Sequence, residues 1–408
     1  MYPRPGWILA AALASSVACR GMCGDGKKAG EGGADATSSW YLASIEGELG
    51  PVPFYLWIPG PGDDGVAEIR NGSERLEVDH RWNGAEVIVE FHHWGTSLEA
   101  EHFPSGELEG VWVASRLFNQ FEAPFTAVPI DEPDPHRLFP GDTPPEADVE
   151  GSWRTDFSQS GSGEMRLRVP EPGLVEGTVV QRDLSGGDLG NLAGNTRGDR
   201  ISLSTFDGQK AFRITARADG NEMTGHWELV GIWNDRFIAE PGELGELTSA
   251  MELGEHNRTT DLPGLDDPRY EGKPVIVGLF GTWCTTCGDL APVIRDLHER
   301  YRDDGLKVHA VAYEIVEDET YIEAQIETYR ERYGAEWPIV PVSGDVEEQL
   351  PPELRGLGVL PITLFRNPDG SIHAIRTGFV SPASGDEHDR QVAEFEELTR
   401  AIIAAATQ

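Results

Sequence analysis

Residues 281–287 read GTWCTTC and hold two of the four cysteines of the chain, Cys284 and Cys287. Thiols at this spacing can form a redox couple, supply half of a metal site or make a small structural disulfide. A tetrahedral zinc site needs a second pair of ligands, but the sequence has no second CxxC and only isolated histidines downstream, the first being His298. A disulfide across so short a loop removes little entropy from the unfolded chain. The redox interpretation accounts for more of the surrounding sequence.

The elements around the pair would place its sulfur atoms at the start of a helix. KPVIVGLF (273–280) is an apolar run typical of a buried strand, and apolar residues then recur at helical spacing at Leu290, Val293, Ile294, Leu297 and Tyr301. The N-terminus of a helix favours an anion, so we predict that Cys284 is the attacking thiolate, with a lowered pKa. Cys287, one turn further inside, would resolve the mixed disulfide. Trp283 would either cover the sulfur pair as part of a docking face or be an ordinary interior aromatic residue.

Strands and helices alternate throughout 251–408. LKVHAVAY (306–313) is a second buried strand, and YIEAQIETYRERYG predicts a helix that ends at Gly334. PITLFRNPDGSIHAIRTG predicts a hairpin that turns at 368–370, and an amphipathic helix follows it. These elements predict an α/β fold around a mixed sheet.

The segment DPRYEGKPVIVGLFGTWCTTCGDLAPVIRDL resembles the TlpA/ResA-like thiol-disulfide oxidoreductases of the bacterial cell envelope, which have a thioredoxin-like fold. The resemblance covers roughly 261–408 and includes Pro292, eight residues beyond Cys284. It implies that Pro361 is the cis-proline opposite the cysteine pair, where it binds the backbone of a substrate chain, and that Leu360 contributes the neighbouring backbone groups. The alternative is an edge position, where a proline is tolerated because no ladder donor is needed.

Two departures from the family pattern affect the expected chemistry. The dipeptide between the cysteines often contains proline, but here it is Thr285-Thr286, which leaves the reduction potential open. Thioredoxins carry a buried acid where this chain has Gly278, so the proton acceptor must come from elsewhere or be water. ResA-like proteins use a glutamate near the end of the next strand. Glu314 and Glu317 lie close to that place; we prefer Glu314, with a solvated acid as the alternative.

The amino terminus reads as an export signal. An apolar run over 7–18 is too short to span a bilayer and ends in small residues directly before Cys19. This boundary resembles the lipobox of bacterial lipoproteins, which implies a signal peptide at 1–19 and lipidation of Cys19. The alternative is a conventional signal peptide and a soluble secreted protein. Residues 20–38 are rich in glycine and predict a flexible tether, in which Cys23 has no assigned role.

Residues 39–250 carry short alternating runs separated by turn signals such as GDDG, RNGS and ADGN, which predict antiparallel β structure. Two similar halves are visible. Trp40 and Trp153 open them, and Gly110 and Gly225 close them at nearly the same offset. We therefore expect a duplicated β unit, either as two small sandwiches or barrels or as one shared sheet system.

The predicted organisation has a β-rich unit at 39–130, a proline-rich and acidic connector at 131–150, a second β-rich unit at 151–250 and the thioredoxin-like domain at 251–408. The connector cannot continue a sheet ladder. The β region also resembles the amino-terminal domains that precede some TlpA-like modules, but that likeness implies no particular activity.

The strongly negative net charge of the chain limits the kinds of partner that it is expected to bind. The chain has 33 basic and 70 acidic residues and a formal net charge of -37, which disfavours nucleic acids and anionic lipid headgroups as partners. The leading hypothesis is an exported, lipid-anchored thiol-disulfide oxidoreductase facing the periplasm or the exterior. By the resemblance it would reduce protein disulfides, receive electrons from a membrane-embedded donor and need no cofactor beyond the redox-active disulfide. It would bind no metal.

Two other classes of function stay open. Thiol peroxidases share the fold, but they resemble one another in a threonine three residues before the reactive cysteine, where this chain has Gly281. The protein would instead be a ligand-binding envelope lipoprotein if the β units carried the main function.

Overall fold

The computed structural model describes residues 36–92, 94–115, 120–141, 143–145, 148–181, 188–243, 261–355 and 360–406. Cys19 and Cys23, with the predicted signal peptide and almost all of the predicted tether, lie outside these residues. In the described part of the chain, two closed antiparallel β barrels are followed by a domain with a mixed sheet and helices. No helix in these ranges is both long enough and apolar enough to cross a membrane.

The first barrel has eight strands in the described residues, in up-and-down order. They are β1 Ser39–Gly47, β2 Gly50–Ile58, β3 Ala67–Asn71, β4 Glu74–Asn83, β5 Glu86–Phe91, β6 Thr96–His102, β7 Leu108–Ser115 and β8 Gln120–Ile130. The barrel closes where β1 pairs with β8, and Trp40 lies opposite Ile130. Alternate residues of each strand point inward, and a barrel of this size is filled by side chains, among them Phe54 and Trp112.

The second barrel repeats this order, again with eight strands within the described ranges. They are β9 Gly151–Phe157, β10 Ser162–Arg168, β11 Leu174–Gln181, β12 Leu192–Arg197, β13 Arg200–Phe206, β14 Ala211–Asp219, β15 Glu222–Leu229 and β16 Trp233–Pro241. It closes through β9 and β16, with Phe157 opposite Phe237. Each half of the duplicated sequence thus forms its own barrel, and the two halves do not share one sheet.

The last domain contains a five-stranded sheet in the order β19-β18-β17-β20-β21 among the described residues. Its strands are β17 Val275–Phe280, β18 Lys307–Glu314, β19 Ile339–Ser343, β20 Ile362–Arg366 and β21 Ile372–Thr377, and its helices are α1 Thr285–Tyr301, α2 Glu319–Tyr333, α3 Val346–Gln349 and α4 Asp386–Ala405. β17 is parallel to β18 and antiparallel to β20. The central β17 is buried almost throughout, as its continuous apolar sequence requires.

The helices have clear boundary signals. The side chain of Asp318 caps the start of α2 by accepting a hydrogen bond from the backbone N–H of Tyr321. Gly334 ends α2 with a φ of 65°, the left-handed conformation that glycine adopts at little cost. Apolar residues of α1, α2 and α4 share one core with the central strands. This core fixes the end of β17 and the start of α1, and the WCxxC motif runs from the connection between them into the first turn of α1.

Candidate redox-active site

The cysteine pair occupies the junction between β17 and α1. Cys284 is the N-cap residue of α1, and its Sγ accepts a hydrogen bond of 3.2 Å from the backbone N–H of Cys287. Cys284 and Cys287 form a disulfide. Cys287 is only 2% exposed, whereas Cys284 is half-buried. The pair therefore has one accessible sulfur and one shielded sulfur, both at the positive end of a helix.

Trp283 lies half-buried beside the pair. Its indole N–H donates a hydrogen bond of 2.9 Å to the carbonyl oxygen of Tyr313 in β18. A Cβ atom at Gly281 would lie 2.4 Å from the indole nitrogen, so glycine is required for the ring to fold back over the chain. The ring is thus held against the end of the sheet and is not a freely exposed aromatic residue.

Leu360 and Pro361 lie on the other side of the pair, at the start of β20. The peptide bond between them is cis, and both residues are buried. The Sγ atom of Cys284 lies 3.8 Å from the carbonyl oxygen of Leu360. The fold therefore brings the backbone beside Pro361 into contact with the sulfur that is the more exposed of the two.

Glu314 is the last residue of β18 and is 1% exposed. One carboxylate oxygen accepts from the backbone N–H of Thr282 and the other from its hydroxyl group, both at 2.9 Å. Burial raises the pKa of Glu314, and the two hydrogen bonds from Thr282 oppose this effect only in part. Glu317, the other candidate, is exposed. The buried acid thus lies one hydrogen bond from the residue that precedes Trp283.

The space behind Cys287 is partly open. A cavity of about 30 Å³ is lined by Cys287, Pro361, Gly278 and neighbouring apolar side chains. A Cβ atom added to Gly278 would meet no other atom within 4 Å. The position that carries a buried acid in thioredoxins therefore faces a space that can hold one water molecule.

The second barrel also reaches the site, which the sequence does not indicate. The side-chain amide of Gln209 donates a hydrogen bond of 2.6 Å to the carbonyl oxygen of Trp283. A carboxylate oxygen of Asp188 accepts bonds of 3.0 and 2.8 Å from the backbone N–H and the hydroxyl group of Ser381. These contacts join residues far apart in the sequence, and no motif or periodicity marks them. Thr282 was missed for the same reason.

No group of three or more histidine, cysteine or carboxylate side chains that could hold a metal ion occurs in the part of the chain that the structure describes.

A comparison with protein-family models finds none that matches the chain. The thiol-disulfide oxidoreductase ResA of Geobacillus kaustophilus is 30% identical over 133 residues, which are 32% of this chain and 70% of the relative. ResA of Halalkalibacterium halodurans is 28% identical over 200 residues, 48% of this chain and 98% of the relative. A solved thiol:disulfide interchange protein of Chlorobium tepidum is 18% identical and has a TM-score of 0.25, covering 33% of this chain and 82% of its own. By its likeness to the Geobacillus protein, this chain belongs to the ResA family of thiol-disulfide oxidoreductases.

Proposed function

We propose that the protein is a cell-envelope thiol-disulfide reductase that acts on disulfides of other proteins through its WCxxC motif. The observation that carries this proposal is the unequal burial of a bonded cysteine pair at a helix N-terminus. A nucleophile must be reachable by its client, whereas the thiol that resolves the mixed disulfide must be shielded from it. Cys284 and Cys287 have these respective environments.

The reaction starts from the reduced pair. The Cys284 thiolate attacks one sulfur of a client disulfide, which forms a mixed disulfide and releases the other client sulfur as a thiolate. Cys287 then loses its proton and attacks Sγ of Cys284, which releases the second client thiolate and forms the Cys284–Cys287 disulfide. Two electrons pass from the pair to the client, and protons from the pair and from solvent neutralise the client thiolates.

Glu314 is the proposed proton acceptor for this second step. A carboxyl group whose pKa is raised by burial takes up a proton more readily at neutral pH than an ordinary glutamate does. Its hydrogen bonds to Thr282 support this role because they hold it at the base of the redox motif. Water in the cavity beside Gly278 is the alternative acceptor.

Trp283, Leu360 and Pro361 are the proposed client-binding residues. The contact between Cys284 Sγ and the Leu360 carbonyl supports this, since a client backbone beside Leu360 would present its sulfur to the nucleophile.

We further propose that Cys19 is lipidated and tethers the protein to a bacterial membrane, facing the periplasm or the exterior. A membrane-embedded donor would return electrons to the pair, which needs no other cofactor. The chain would be organised as 1–19, 20–38, 39–130, 131–150, 151–250 and 251–408.

Trapping tests the reductase function directly. In the full chain, Cys287→Ala leaves the mixed disulfide unresolved, so client proteins should accumulate on Cys284 as covalent adducts that reducing agents release. Cys284→Ala should abolish these adducts and the reduction of insulin, whereas the matched control Cys23→Ala should retain both activities. Reductase activity that persists in Cys284→Ala would refute the assignment. A separate measurement, the reduction potential of the Cys284–Cys287 pair, would establish the direction of electron flow.

A cavity of about 230 Å³ between the barrels favours ligand binding as a second candidate function. It is lined by Tyr55, Arg70, Arg75, Leu138 and Glu176, among others. In small-molecule sites a few polar or charged groups orient a ligand within a mostly apolar pocket, and Arg70, Arg75 and Glu176 are the charged groups here. Native mass spectrometry of the purified full chain would detect a retained ligand, and Arg75→Ala should reduce its occupancy.

A peroxide-consumption assay on the same protein tests the alternative thiol peroxidase activity.

A further inference from the structure

The turn between β13 and β14 in the second barrel contacts the redox motif. Its Gln209 donates a hydrogen bond of 2.6 Å to the carbonyl oxygen of Trp283. The carbonyl of Trp283 and the N–H of Cys284 belong to the same peptide group. This N–H donates a hydrogen bond of 3.1 Å to the carbonyl oxygen of Gly281. One side of this peptide is thus fixed from within the redox domain and the other side from the barrel. The orientation of Cys284 depends on both.

The turn is itself anchored in buried structure. The carbonyl oxygen of Gly208 accepts hydrogen bonds from the Thr96 hydroxyl at 2.6 Å and from the Trp112 indole at 3.2 Å, both in the first barrel. Gly208 has a φ of 88°, and a Cβ atom there would lie 2.0 Å from the ring of Phe91. The residue before the turn, Phe206, is fully buried in the core of the first barrel. Gln209 is therefore presented to the redox motif from a fixed position.

We propose that the β13–β14 turn of the second barrel is part of the redox site, with Gln209 as a positioning residue for Cys284. Gln209 holds the carbonyl of Trp283 and thereby keeps the Sγ atom of Cys284 at the N-cap of α1, where the backbone N–H of Cys287 donates to it at 3.2 Å and the helix terminus favours a thiolate. The second barrel thereby stabilises the thiolate form of Cys284 and, with it, the reduced state of the pair. The inference rests on the proposed role of Cys284 as the attacking thiolate.

Substitution of Gln209 tests the positioning role. In the reduced full chain, Gln209→Ala should raise the pKa of Cys284, measured as the pH dependence of its alkylation by iodoacetamide. The equilibrium with glutathione should shift about threefold toward the disulfide, or about 14 mV for a two-electron couple. Gln159→Ala is the matched control, because Gln159 lies in the same barrel with an exposed side chain. It should leave both measurements unchanged.

These measurements separate the inference from the proposed reductase function. Alkylation of Cys284 and exchange with glutathione require no client protein, so they remain informative if the chain reduces no protein disulfide. A Gln209→Ala variant that has a lower melting temperature but an unchanged pKa of Cys284 and an unchanged glutathione equilibrium would overturn the inference. The turn would then be a structural contact only.

Discussion

In both barrels the turn between the fifth and sixth strands contacts the redox domain, but the two turns do so through different chemical groups. The turn from β5 to β6 in the first barrel and the turn from β13 to β14 in the second each join the fifth and sixth strands of a barrel. The first offers a backbone group, the carbonyl of His92, which accepts a bond of 3.4 Å from Gln325 in α2. The second offers a side chain, Gln209, at 2.6 Å from the carbonyl of Trp283. Equivalent turns therefore contact the side of a helix in one case and the redox motif in the other.

The barrels also hold each other through these and neighbouring turns. The rings of Phe91 and Phe206, the last residues of β5 and β13, lie 5.6 Å apart and perpendicular to each other. In the opposite direction, the buried Glu228 of the second barrel accepts bonds of 2.8 and 2.7 Å from the backbone N–H groups of Glu48 and Leu49 in the first. The duplicated scaffold is therefore asymmetric: among the described residues, the second barrel contacts the Trp283–Cys284 peptide and the first does not.

The largest effect is expected from Cys284→Ser, which removes the nucleophile but leaves the contacts between the barrels and the redox domain. Cys284→Ser keeps a side chain of similar size at the helix N-cap but removes the sulfur nucleophile, so disulfide reduction should fall by roughly 10³-fold or more. Insulin reduction by the full chain measures it. Under reducing conditions the melting temperature should match that of the reduced wild type, because neither turn contact involves Sγ. A large drop in melting temperature would instead mean that Cys284 also holds the barrel against the redox domain.

The second prediction breaks the contact between the barrels. Glu228→Ala removes a buried carboxylate that accepts two backbone hydrogen bonds, so the free energy of unfolding should fall by about 3 kcal/mol. Urea denaturation measures the change. The matched control is Glu240→Ala in the same barrel, whose ion pair with Arg154 is exposed and should contribute less than about 1 kcal/mol. Equal effects of the two variants would mean that Glu228 does not hold the barrels together.

Local sequence signals were sufficient for the elements of the redox domain. The apolar run of β17, the motif and the spacing of Leu290 and Ile294 predicted a strand, a cysteine pair and a helix, and Gly334 ends α2 as predicted. These features depend on residues that are neighbours in the sequence or one helical turn apart, so periodicity and capping chemistry identify them.

Features that depend on how the strands close into a barrel, or on contacts between domains, could not be predicted from local sequence signals. The choice between barrels and a shared sheet depends on which strands meet at the ends of each unit, as where Trp40 lies opposite Ile130. The choice of Glu314 came from a family resemblance, and its hydrogen bonds to Thr282 have no local signature. The contact of Gln209 with the motif likewise exists only once three folded parts are packed together.

A third prediction concerns the charge that the first barrel contributes beside the β13–β14 turn. Burial raises the pKa of Glu74 in β4 to about 7, so the folded state binds this proton more tightly than the unfolded state does. The free energy of unfolding should therefore fall as pH rises from about 4.5 to about 7. Glu74→Gln has no such titration and should be more stable than wild type by about 3 kcal/mol near pH 8, with little difference near pH 4. Urea denaturation at both pH values measures this, and equal pH dependence of the two proteins would contradict it.

The smallest expected effect tests the comparison of the two turns itself. Gln325→Ala removes the bond to the His92 carbonyl, which at 3.4 Å is long, so the free energy of unfolding should fall by about 0.5 kcal/mol. The alkylation profile of Cys284 and the glutathione equilibrium should not change, because α2 contacts the first turn away from the peptide that holds the nucleophile. Gln209→Ala makes the same chemical change at the other turn and should move both. If Gln325→Ala also shifted the pKa of Cys284, the two turns would be equivalent in function as well as in position, and the redox site would be sensitive to the whole double barrel.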